Sequence, residues 1–471
     1  MPINVAPTHR RVIALSVACL FIVCVNRNCD VGELLHVAER EAESDRASAP
    51  LLPTHSSVTL LPQLSGSVAT GTDPPIPVKK WITVDTHVHS HGCGRTTSPP
   101  ELVKMMVEEG IDIGFGLIWG PSWDSESSYL TGEDHWASIP GHIFHYDLEI
   151  SVFAAGQLGH LTLLGLRNGH FSPTPFSSPQ SNLPIISWAL ANTPRVVIGM
   201  SHGQMWPSDG SFPPWGTGCC IPFEYPIEVA FGNLYFFEVE PLNLDGVDGL
   251  PEELPFLWKS LLNTGLRLPI VGASDYPCFS ERPGTARTHV LIEGPVSYDA
   301  ALEGIRHGRT TLAIGARDWL NLRINGAGIG DEAQLKAGET LEITLESKLA
   351  QSEEVVLYAN GSAVGKILVN PGLQTITAQL TIPRSAWISA RSSRVLTSPV
   401  YVLVDGLPLR PSPESACYFM RYIDYLTSTV TSRDALGDEE QEVLKSYAAA
   451  RAVFEHRFQE GGGTACSTSQ F

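Results

Sequence analysis

The chain has 471 residues, a formal net charge of −19 and a pI near 5.2. This length allows two or three domains with a large core. No Lys/Arg-rich block occurs, and both nucleic acids and anionic membranes need basic patches, so the composition argues against either as a partner. An acidic, solvated surface accounts for the charge, and the oligomeric state stays open.

The N-terminus has the pattern of an export signal. The basic stretch His9–Arg11 precedes the apolar run Val12–Val25, which is short for a membrane span and typical of a signal-peptide core. We therefore predict a signal peptide or anchor over residues 1–29 and an exported protein, which is periplasmic, extracellular or membrane-anchored. Contact with a membrane is expected only if this segment is retained. The alternatives are a misassigned start codon and lipid attachment at Cys19, Cys24 or Cys29.

Residues 30–77 are rich in Ser, Pro and Ala and are predicted to be a linker. From residue 78 to residue 319, strand and helix signals alternate. The strand Ile82–Val88 is followed by SPPELVKMMVEEG, in which Ser98 is a helix N-cap and Gly110 a stop signal. Further strands are predicted at Ile111–Ile118, Tyr146–Val152, His160–Leu166, Val196–Met200, Leu234–Val239 and Leu268–Val271, with a helix at Leu254–Asn263. This order indicates an α/β fold, either a barrel or a wound sheet.

The pattern changes after residue 319. Short alternating runs separated by turn residues predict a small antiparallel β-sandwich over residues 320–410. Residues 411–471 are predicted to form C-terminal helices, at Ala416–Leu426 and Glu439–Phe458, and a disordered tail.

The cysteines beyond the leader do not form a metal-binding pattern. No Cys-x-x-Cys pair occurs, so a thiolate zinc site is not expected. An exported chain could pair some of its cysteines, but the sequence leaves the pairing open. Cys93 lies near the histidine-bearing strand, where we expect a buried free thiol rather than a nucleophile.

The segment Trp81–Gly94, WITVDTHVHSHGCG, carries the strongest chemical signal. Asp85, His87 and His89 occupy alternate positions of a strand, so their side chains point the same way. Two imidazoles and a carboxylate on one edge can form half of a metal site. The alternative is a polar strand face with two solvated histidines.

Other polar residues lie where predicted strands begin or end. Glu149 occurs in YDLEIS, His160 opens HLTLLGL, His202 follows RVVIGM, and Asp275 follows LPIVGAS. In α/β barrels the carboxyl ends of the strands converge on one mouth. Taken with His87 and His89, these residues favour a metal site over a set of separately satisfied polar groups.

At this point the chain resembles the polymerase-and-histidinol-phosphatase (PHP) superfamily of metallohydrolases, in particular its CehA/McbA (carbaryl hydrolase-like) branch. The matching stretches cover about Val78 to Leu407 and are DTHVHSHG, GIDIGFGLIWGP, YDLEIS with LGHLTLLGL, MSHG, FFEVEPLN, and VGASDYP followed by GTARTHVLIEGPVSYDAALEGIRHGRTTLAIG. The resemblance implies an α/β fold with a distorted (β/α)7 PHP-type barrel and metals at its mouth.

The resemblance also implies two divalent metal ions, with zinc first and manganese or iron as alternatives. The first would be bound by His87, His89 and Asp275, and the second by His160 and His202, with Glu149 bridging the two. Asp85 would orient a histidine.

Three positions depart from trinuclear members of the superfamily. Arg95, Ile118-Trp119 and Asp275-Tyr276-Pro277 align where those members have ligands of a third metal, although His91 comes early for the first of these places. We therefore expect no third metal and less phosphomonoesterase activity. Trp119 and Trp123 could form an apolar wall for substrate instead, with rim packing as the alternative. One of Glu238 and Glu240 is expected to contact substrate or to brace a ligand, with a structural hydrogen bond as the alternative, and we assign substrate contact to Glu240.

Two cations that share a carboxylate lower the pKa of a water between them, so hydroxide is available to attack. Asp275 would pass the proton to the leaving group. The predicted enzyme is a binuclear metal-dependent hydrolase of carboxylic or carbamic esters, with a small-molecule substrate. The alternatives are a phosphodiesterase on the same metals and an exported binding module with an idle barrel.

Overall fold

The computed structural model describes residues 63–64, 67–68, 79–151, 158–167, 171, 181–193, 195–207, 210, 221–241, 250, 253–315, 317–432, 436, 438 and 440–466. The predicted leader and nearly all of the predicted linker lie outside these residues, as do Cys219, Cys220 and the last residues of the tail.

The first part of the chain builds a curved sheet from buried strands. The order across this sheet is β10-β9-β8-β7-β6-β5-β2-β11-β12. Its strands are β2 (Lys79–Val88), β5 (Ile113–Ile118), β6 (Ile143–Ile150), β7 (Leu161–Leu164), β8 (Val197–Met200), β9 (Phe236–Val239), β10 (Ile270–Gly272), β11 (Ala286–Glu293) and β12 (Thr310–Ile314), and short strands β1 (Ser67–Val68), β3 (His91–Gly92) and β4 (Arg95–Thr96) lie outside it.

The sheet curls until its end strand β10 lies beside β11 and β12. There the closure uses side chains instead of a backbone ladder. The Thr288 hydroxyl accepts from the Gly272 N–H and donates to the Gly272 carbonyl, both at 2.8 Å. The Thr310 hydroxyl donates to the Ile270 carbonyl, also at 2.8 Å. The interior is filled by apolar residues of these strands, among them Val84, Phe115 and Phe236.

The strand directions are mixed, which differs from an all-parallel (β/α)7 barrel. Strand β2 pairs parallel to β5, and β5 to β6, as β8 does to β9 and β9 to β10. Strand β7 is antiparallel to both neighbours, β6 and β8. Only residues 151–160 connect β6 to β7, whereas a parallel connection needs a crossover of a dozen or more residues. Strand β11 likewise pairs antiparallel with β2 and β12.

Helices accompany this sheet, and the one that carries Tyr298 and Leu302 packs against the same apolar residues that fill the interior. The helices are α1 (Pro99–Glu109), α2 (Trp123–Glu126), α3 (Leu183–Asn192), α4 (Tyr225–Ala230), α5 (Phe256–Asn263) and α6 (Tyr298–Arg306). Helix α1 confirms its predicted signals: the Ser98 N–H and hydroxyl both donate to Glu101 Oε2, and Gly110 ends the helix with a φ of 69°. This left-handed conformation costs glycine little.

The second part of the chain forms two packed sheets. Strands β13 (Trp319–Ile324), β15 (Leu341–Leu349) and β18 (Gly372–Leu380) form one antiparallel sheet with β1. Strands β16 (Glu353–Ala359), β17 (Ser362–Val369), β19 (Ala386–Arg391), β20 (Val395–Thr397) and β21 (Val400–Val404) continue the first sheet, because β20 pairs with β12, and β14 (Glu332–Leu335) joins β21. An apolar core lies between the two sheets, which is a sandwich. The predicted boundary at residue 319 therefore falls within a shared sheet.

Two long helices end the described chain, α7 (Pro413–Ser432) and α8 (Glu440–Glu460). Among the described helices, none is both long and apolar enough to cross a membrane. The start of the predicted disordered tail is held in place, since Cys466 forms a disulfide with Cys417 of α7 and the Gly463 N–H donates to the Phe458 carbonyl. The disorder prediction is thus wrong as far as Cys466.

A buried carboxylate pair lies where α8 meets α4. Glu224 accepts hydrogen bonds from the Ser181 hydroxyl, the Asn182 N–H and the Tyr447 hydroxyl at 2.6–2.7 Å. One turn later, both carboxylate oxygens of the buried Glu228 are without a hydrogen-bond partner. Burial raises the pKa of Glu224 to about 7 and raises the pKa of Glu228 well above its usual range. Both effects favour the protonated, neutral carboxyl.

We predict that Glu228→Gln stabilises the protein more at pH 8 than at pH 5. In the unfolded chain this carboxyl loses its proton above about pH 4.5, whereas the folded state keeps it, so the wild type loses stability as pH rises. Glutamine has no such proton. The gain in free energy of unfolding at pH 8, measured by urea denaturation, should exceed about 1 kcal/mol.

The matched control is Glu442→Gln, which removes an exposed carboxylate on α8. Its effect should be small and similar at both pH values. An effect of Glu228→Gln that does not change with pH would contradict the assignment.

Candidate metal centre

The six predicted ligands meet at one edge of the curved sheet. His87 lies near the carboxyl end of β2 and His89 just beyond it, while Glu149 ends β6. His202 and Asp275 follow β8 and β10, both with positive φ, 62° and 42°. The sixth, His160, precedes its strand instead of following it. Because β7 runs antiparallel to its neighbours, the start of β7 lies at the same edge.

The rings of His87 and His89 are fixed by hydrogen bonds at their far nitrogens. Nδ1 of His87 lies 2.9 Å from Glu238 Oε1, and Nδ1 of His89 lies 2.8 Å from the Leu117 carbonyl oxygen. A carboxylate and a carbonyl accept hydrogen bonds, so we assign a proton to each Nδ1. The two Nε2 atoms then carry lone pairs, and they face each other at 3.1 Å. This contact is repulsive unless a cation lies beside both nitrogens.

Asp275 completes the first group. Its Oδ1 lies 3.5 Å from His87 Nε2 and 3.3 Å from His89 Nε2. This oxygen is buried and has no hydrogen-bond partner. A buried carboxylate oxygen without a partner needs an explanation, and a cation held by the three residues supplies one.

His160 and His202 form the second group with Glu149. His202 donates from Nδ1 to Glu240 Oε2 at 2.8 Å, which leaves its Nε2 lone pair 3.0 Å from Nδ1 of His160. Glu149 Oε1 lies 2.7 Å from His160 Nδ1 and 3.7 Å from His202 Nε2. Again, three potential ligand atoms converge on one point.

Glu149 joins the two groups. While its Oε1 faces the second group, its Oε2 lies 3.3 Å from His89 Nε2 and 3.7 Å from His87 Nε2. One carboxylate therefore presents an oxygen to each group. His160 is the most accessible ligand candidate, since 16% of its side chain is exposed, against 4% or less for the others. The pair of groups therefore opens to solvent on the His160 side.

The electrostatics of this edge favour added positive charge. Burial opposes a charge on His87, but Asp275, Glu238 and Glu149 outweigh it and raise the pKa of His87 well above its usual range. In the same way Asp275 and Glu149 overcome burial and raise the pKa of His89 to about 9. Burial also opposes charge on Glu149, yet His160 and His87 hold its pKa well below the usual range. The carboxylates that favour protonated histidines would also favour a bound metal cation.

These donor sets suit divalent metals. Neutral imidazole nitrogens with carboxylate oxygens are ligands for zinc, manganese and iron. The orphaned Asp275 oxygen and the facing imidazole lone pairs fit such ions at both groups. The residues that would hold them are His87, His89 and Asp275 for the first ion, and His160, His202 and Glu149 for the second, with Glu149 shared.

Asp85 has a different role from the one predicted. Its carboxylate accepts from the backbone N–H groups of His87, Ser274 and Gly284, at 3.3, 3.0 and 2.6 Å. It therefore fixes the backbone on both sides of the site instead of orienting an imidazole ring. Burial raises the pKa of Asp85 to about 6, although these hydrogen bonds act in the opposite direction.

The two carboxylates that do orient histidines lie at the end of β9, Glu238 within the strand and Glu240 directly after it. Glu238 accepts from His87 and Glu240 from His202. Gln204 also donates to Glu240, at 2.8 Å. Glu240 therefore braces a ligand candidate, which is one of the two roles considered for this pair, and its contact with substrate stays a prediction. The alternation in FFEVE placed both residues on one face, but it did not show that each would meet a different histidine.

Cys93 is neither a free thiol nor a nucleophile, because it forms a disulfide with Cys278. The sequence separation of 185 residues hid this pair. His289 of β11 contacts the Thr83 hydroxyl and the Asp318 carbonyl. Burial lowers the pKa of His289 to about 4.

Aromatic rings flank both ligand groups. The ring of Trp119 lies 5.4 Å from that of His89, and its Nε1 donates to the His91 carbonyl. On the other side, the ring of the half-buried Phe279 lies 5.2 Å from that of His202. The sequence analysis singled out Trp119 and missed Phe279. A signal for Phe279 was present, since it follows Asp275 by four residues.

Trp123 and His91, which the sequence also singled out, lie near this edge of the sheet. Trp123 contacts Phe171, with ring centroids 5.7 Å apart. The half-buried His91 places Nδ1 3.0 Å from Oε1 of the buried Glu126. The absence of a third metal stays a prediction.

No family model and no curated protein matches this sequence. One matching solved structure is the crystal structure of a two-domain protein containing a predicted PHP-like metal-dependent phosphoesterase, from Bacteroides vulgatus ATCC 8482. The two chains are 13% identical, with a TM-score of 0.37, and the match covers 73% of this chain and 100% of that chain. A likeness this distant carries no argument, so the conclusions below rest on the geometry of the site.

We predict that Glu238→Gln and Glu240→Gln each weaken one metal site more than the other. Loss of the carboxylate that accepts the hydrogen bond from Nδ1–H should lower metal affinity about 10- to 100-fold. The first substitution should affect the site of His87 and the second that of His202. Chelator competition with metal analysis measures both affinities.

The matched control is Glu303→Gln, on the exposed surface of α6. Equal weakening of both sites by each substitution would contradict separate bracing.

Proposed function

We propose that this chain is a binuclear metal-dependent hydrolase of the PHP type, of the CehA/McbA (carbaryl hydrolase-like) branch, that cleaves neutral carboxylic or carbamic esters. The observation that carries the proposal is the convergence of two buried three-residue groups that share Glu149. The imidazole lone pairs of His87 and His89 face each other, which a pair of solvated histidines would not do.

When bound, two divalent cations would activate a water molecule and polarise the substrate carbonyl. The protein's own residues then have distinct tasks. Asp275 can hold a cation through Oδ1 and accept a proton at Oδ2, from which the proton passes to the leaving group. Glu238 and Glu240 keep the rings of His87 and His202 oriented, so the ligand nitrogens need no rearrangement.

The charges around the site support a neutral substrate. Four carboxylates contact the histidines: Glu149, Asp275, Glu238 and Glu240. Two dications would balance these four charges and leave little net attraction for an anion. The rings of Trp119 and Phe279 add apolar surface on either side. An ester with an aromatic or apolar group fits this environment better than a phosphodiester does.

We also propose that the protein is exported. The predicted leader supports this, and so do the disulfides Cys93–Cys278 and Cys417–Cys466, because disulfides persist mainly in oxidising compartments.

We predict that chelation abolishes aryl-ester hydrolysis and that Zn²⁺, Mn²⁺ or Fe²⁺ restores it. His87→Ala should lower kcat/KM by more than about 100-fold, which exceeds the usual cost of losing an outer partner. Elemental analysis of the purified chain, with a panel of aryl esters, carbamates and bis-aryl phosphates, measures both claims.

His307→Ala removes an exposed histidine on the surface and is the matched control. Full activity of His87→Ala would refute the metal mechanism. Faster turnover of bis-aryl phosphates than of esters would select the phosphodiesterase alternative.

We predict that Phe279→Ala raises KM for aryl esters about 2- to 12-fold, because one aromatic contact contributes about 0.5–1.5 kcal/mol. The value of kcat should stay within about threefold, since Phe279 touches the His202 ring without serving as a ligand. KM for methyl acetate should not change.

Trp136→Ala is the control, because this tryptophan is 74% exposed. An unchanged KM for aryl esters in Phe279→Ala would show that Phe279 does not contact the aromatic group of the substrate.

A further inference from the structure

The disulfide Cys93–Cys278 joins two loops that each follow a ligand candidate. Cys93 comes four residues after His89, and Cys278 comes three residues after Asp275. The other described disulfide, Cys417–Cys466, joins α7 to the chain after α8. Only the first therefore lies within the loops of the candidate metal centre.

Asp275 occupies a position that its own backbone does not favour. Its φ of 42° lies in the left-handed region, which is costly for residues other than glycine. Its Oδ1 is buried without a hydrogen-bond partner and points towards His87 and His89. A strained backbone and an unsatisfied oxygen persist only where surrounding contacts hold them.

The chain that follows Asp275 is held by two different means. Next to it, the carbonyl of the buried Tyr276 accepts from the His89 N–H at 2.7 Å, and the Tyr276 hydroxyl meets Thr97. Further on, the Phe279 N–H donates back to the Asp275 carbonyl at 2.8 Å, which closes a turn but does not fasten it to the sheet. The disulfide supplies a covalent attachment at Cys278.

Packing at Gly92 shows how closely the two loops approach. A Cβ built at this glycine would lie 3.0 Å from Pro277 Cδ and 3.3 Å from Cys278 Sγ. It would also lie 3.2 Å from the His89 Cβ. The turn after Asp275 is therefore pressed against the residues next to His89, and the disulfide keeps it there.

We propose that the Cys93–Cys278 disulfide is a positioning device that holds Asp275 in place to bind the first metal. The inference rests on the proposed function, because it assumes that the two groups bind metals. Its effect is selective. Glu149 lies in β6, His160 just before β7 and His202 just after β8, and none of them lies in the two linked loops. Loss of the disulfide should weaken the first site and spare the second.

The test compares two double substitutions in the full chain. Cys93→Ala with Cys278→Ala opens this disulfide and leaves no thiol at either position that could bind metal. Cys417→Ala with Cys466→Ala opens the other one and is the matched control. Zinc per chain after dialysis against a chelator series, and the affinity of each site by competition, are measured together with thermal unfolding.

We expect the first variant to lose about tenfold or more in affinity at one site and to keep one zinc under conditions in which the wild type keeps two. The control variant should keep two. The inference is overturned if the first variant retains both sites with wild-type affinity, or if both variants weaken both sites equally. A wild-type chain that binds no zinc would overturn the proposed function itself, and the inference with it.

A second measurement covers the case in which the first variant does not fold. The folded control variant is treated with a trialkylphosphine, which can then open only Cys93–Cys278 of the two described disulfides. The two freed thiols are alkylated with iodoacetamide, each losing a proton as iodide leaves the reagent, so that they cannot bind zinc. The phosphine is oxidised to its oxide with oxygen from water, and each sulfur gains a proton and an electron. We expect the loss of one zinc on reduction. Retention of both would overturn the inference.

Discussion

Two imidazole nitrogens that face each other across 3.1 Å determine the character of the whole site. Each ring is held from behind, His87 by Glu238 and His89 by the Leu117 carbonyl, so neither can turn its lone pair away. Such a contact persists only when a cation screens it. The raised pKa values of both histidines have the same origin, because the surrounding carboxylates also favour a bound proton. Strands β5 and β9 supply the two acceptors. The sheet therefore orients the ligands in advance, and metal binding would need little rearrangement.

The mixed direction of the strands is what brings the ligand candidates to one edge. A strand that reverses direction presents its beginning where its neighbours present their ends, and this is how His160 joins Glu149 and His202. The left-handed backbone at His202 and Asp275 then lets the chain turn back immediately after the strand. Asp85 ties β2 to the loops that carry Ser274 and Gly284 through backbone N–H groups. Local strain at the ligands is thus held by hydrogen bonds to residues far away in sequence.

The surroundings of the ligands connect the fold to a class of substrate. Carboxylates fill the space behind the histidines, whereas aromatic rings border them at Trp119 and Phe279. The carboxylates behind the rings of His87 and His202 strengthen metal binding but give no attraction for an anion once the ions are in place. Apolar rings beside the site favour an uncharged substrate with hydrophobic groups. The turn that carries Phe279 also carries Asp275 and Cys278. One short segment therefore contributes a ligand candidate, an aromatic ring beside the site and a disulfide to the loop after His89.

The sequence by itself determined the elements and the chemistry of the ligands. Alternation in the strand of His87, the capping signals of Ser98 and Gly110, and histidines and carboxylates at strand ends are local patterns, and each could be predicted because it depends on near neighbours. Only the tertiary structure decided which partner each of these groups meets. Glu238 rather than Asp85 orients His87, Glu240 braces His202, and Cys93 pairs with a cysteine 185 residues away. Those contacts depend on how the sheet curls and on the direction of β7. No local pattern encodes them, because they join residues that are close only after the strands have been ordered in space.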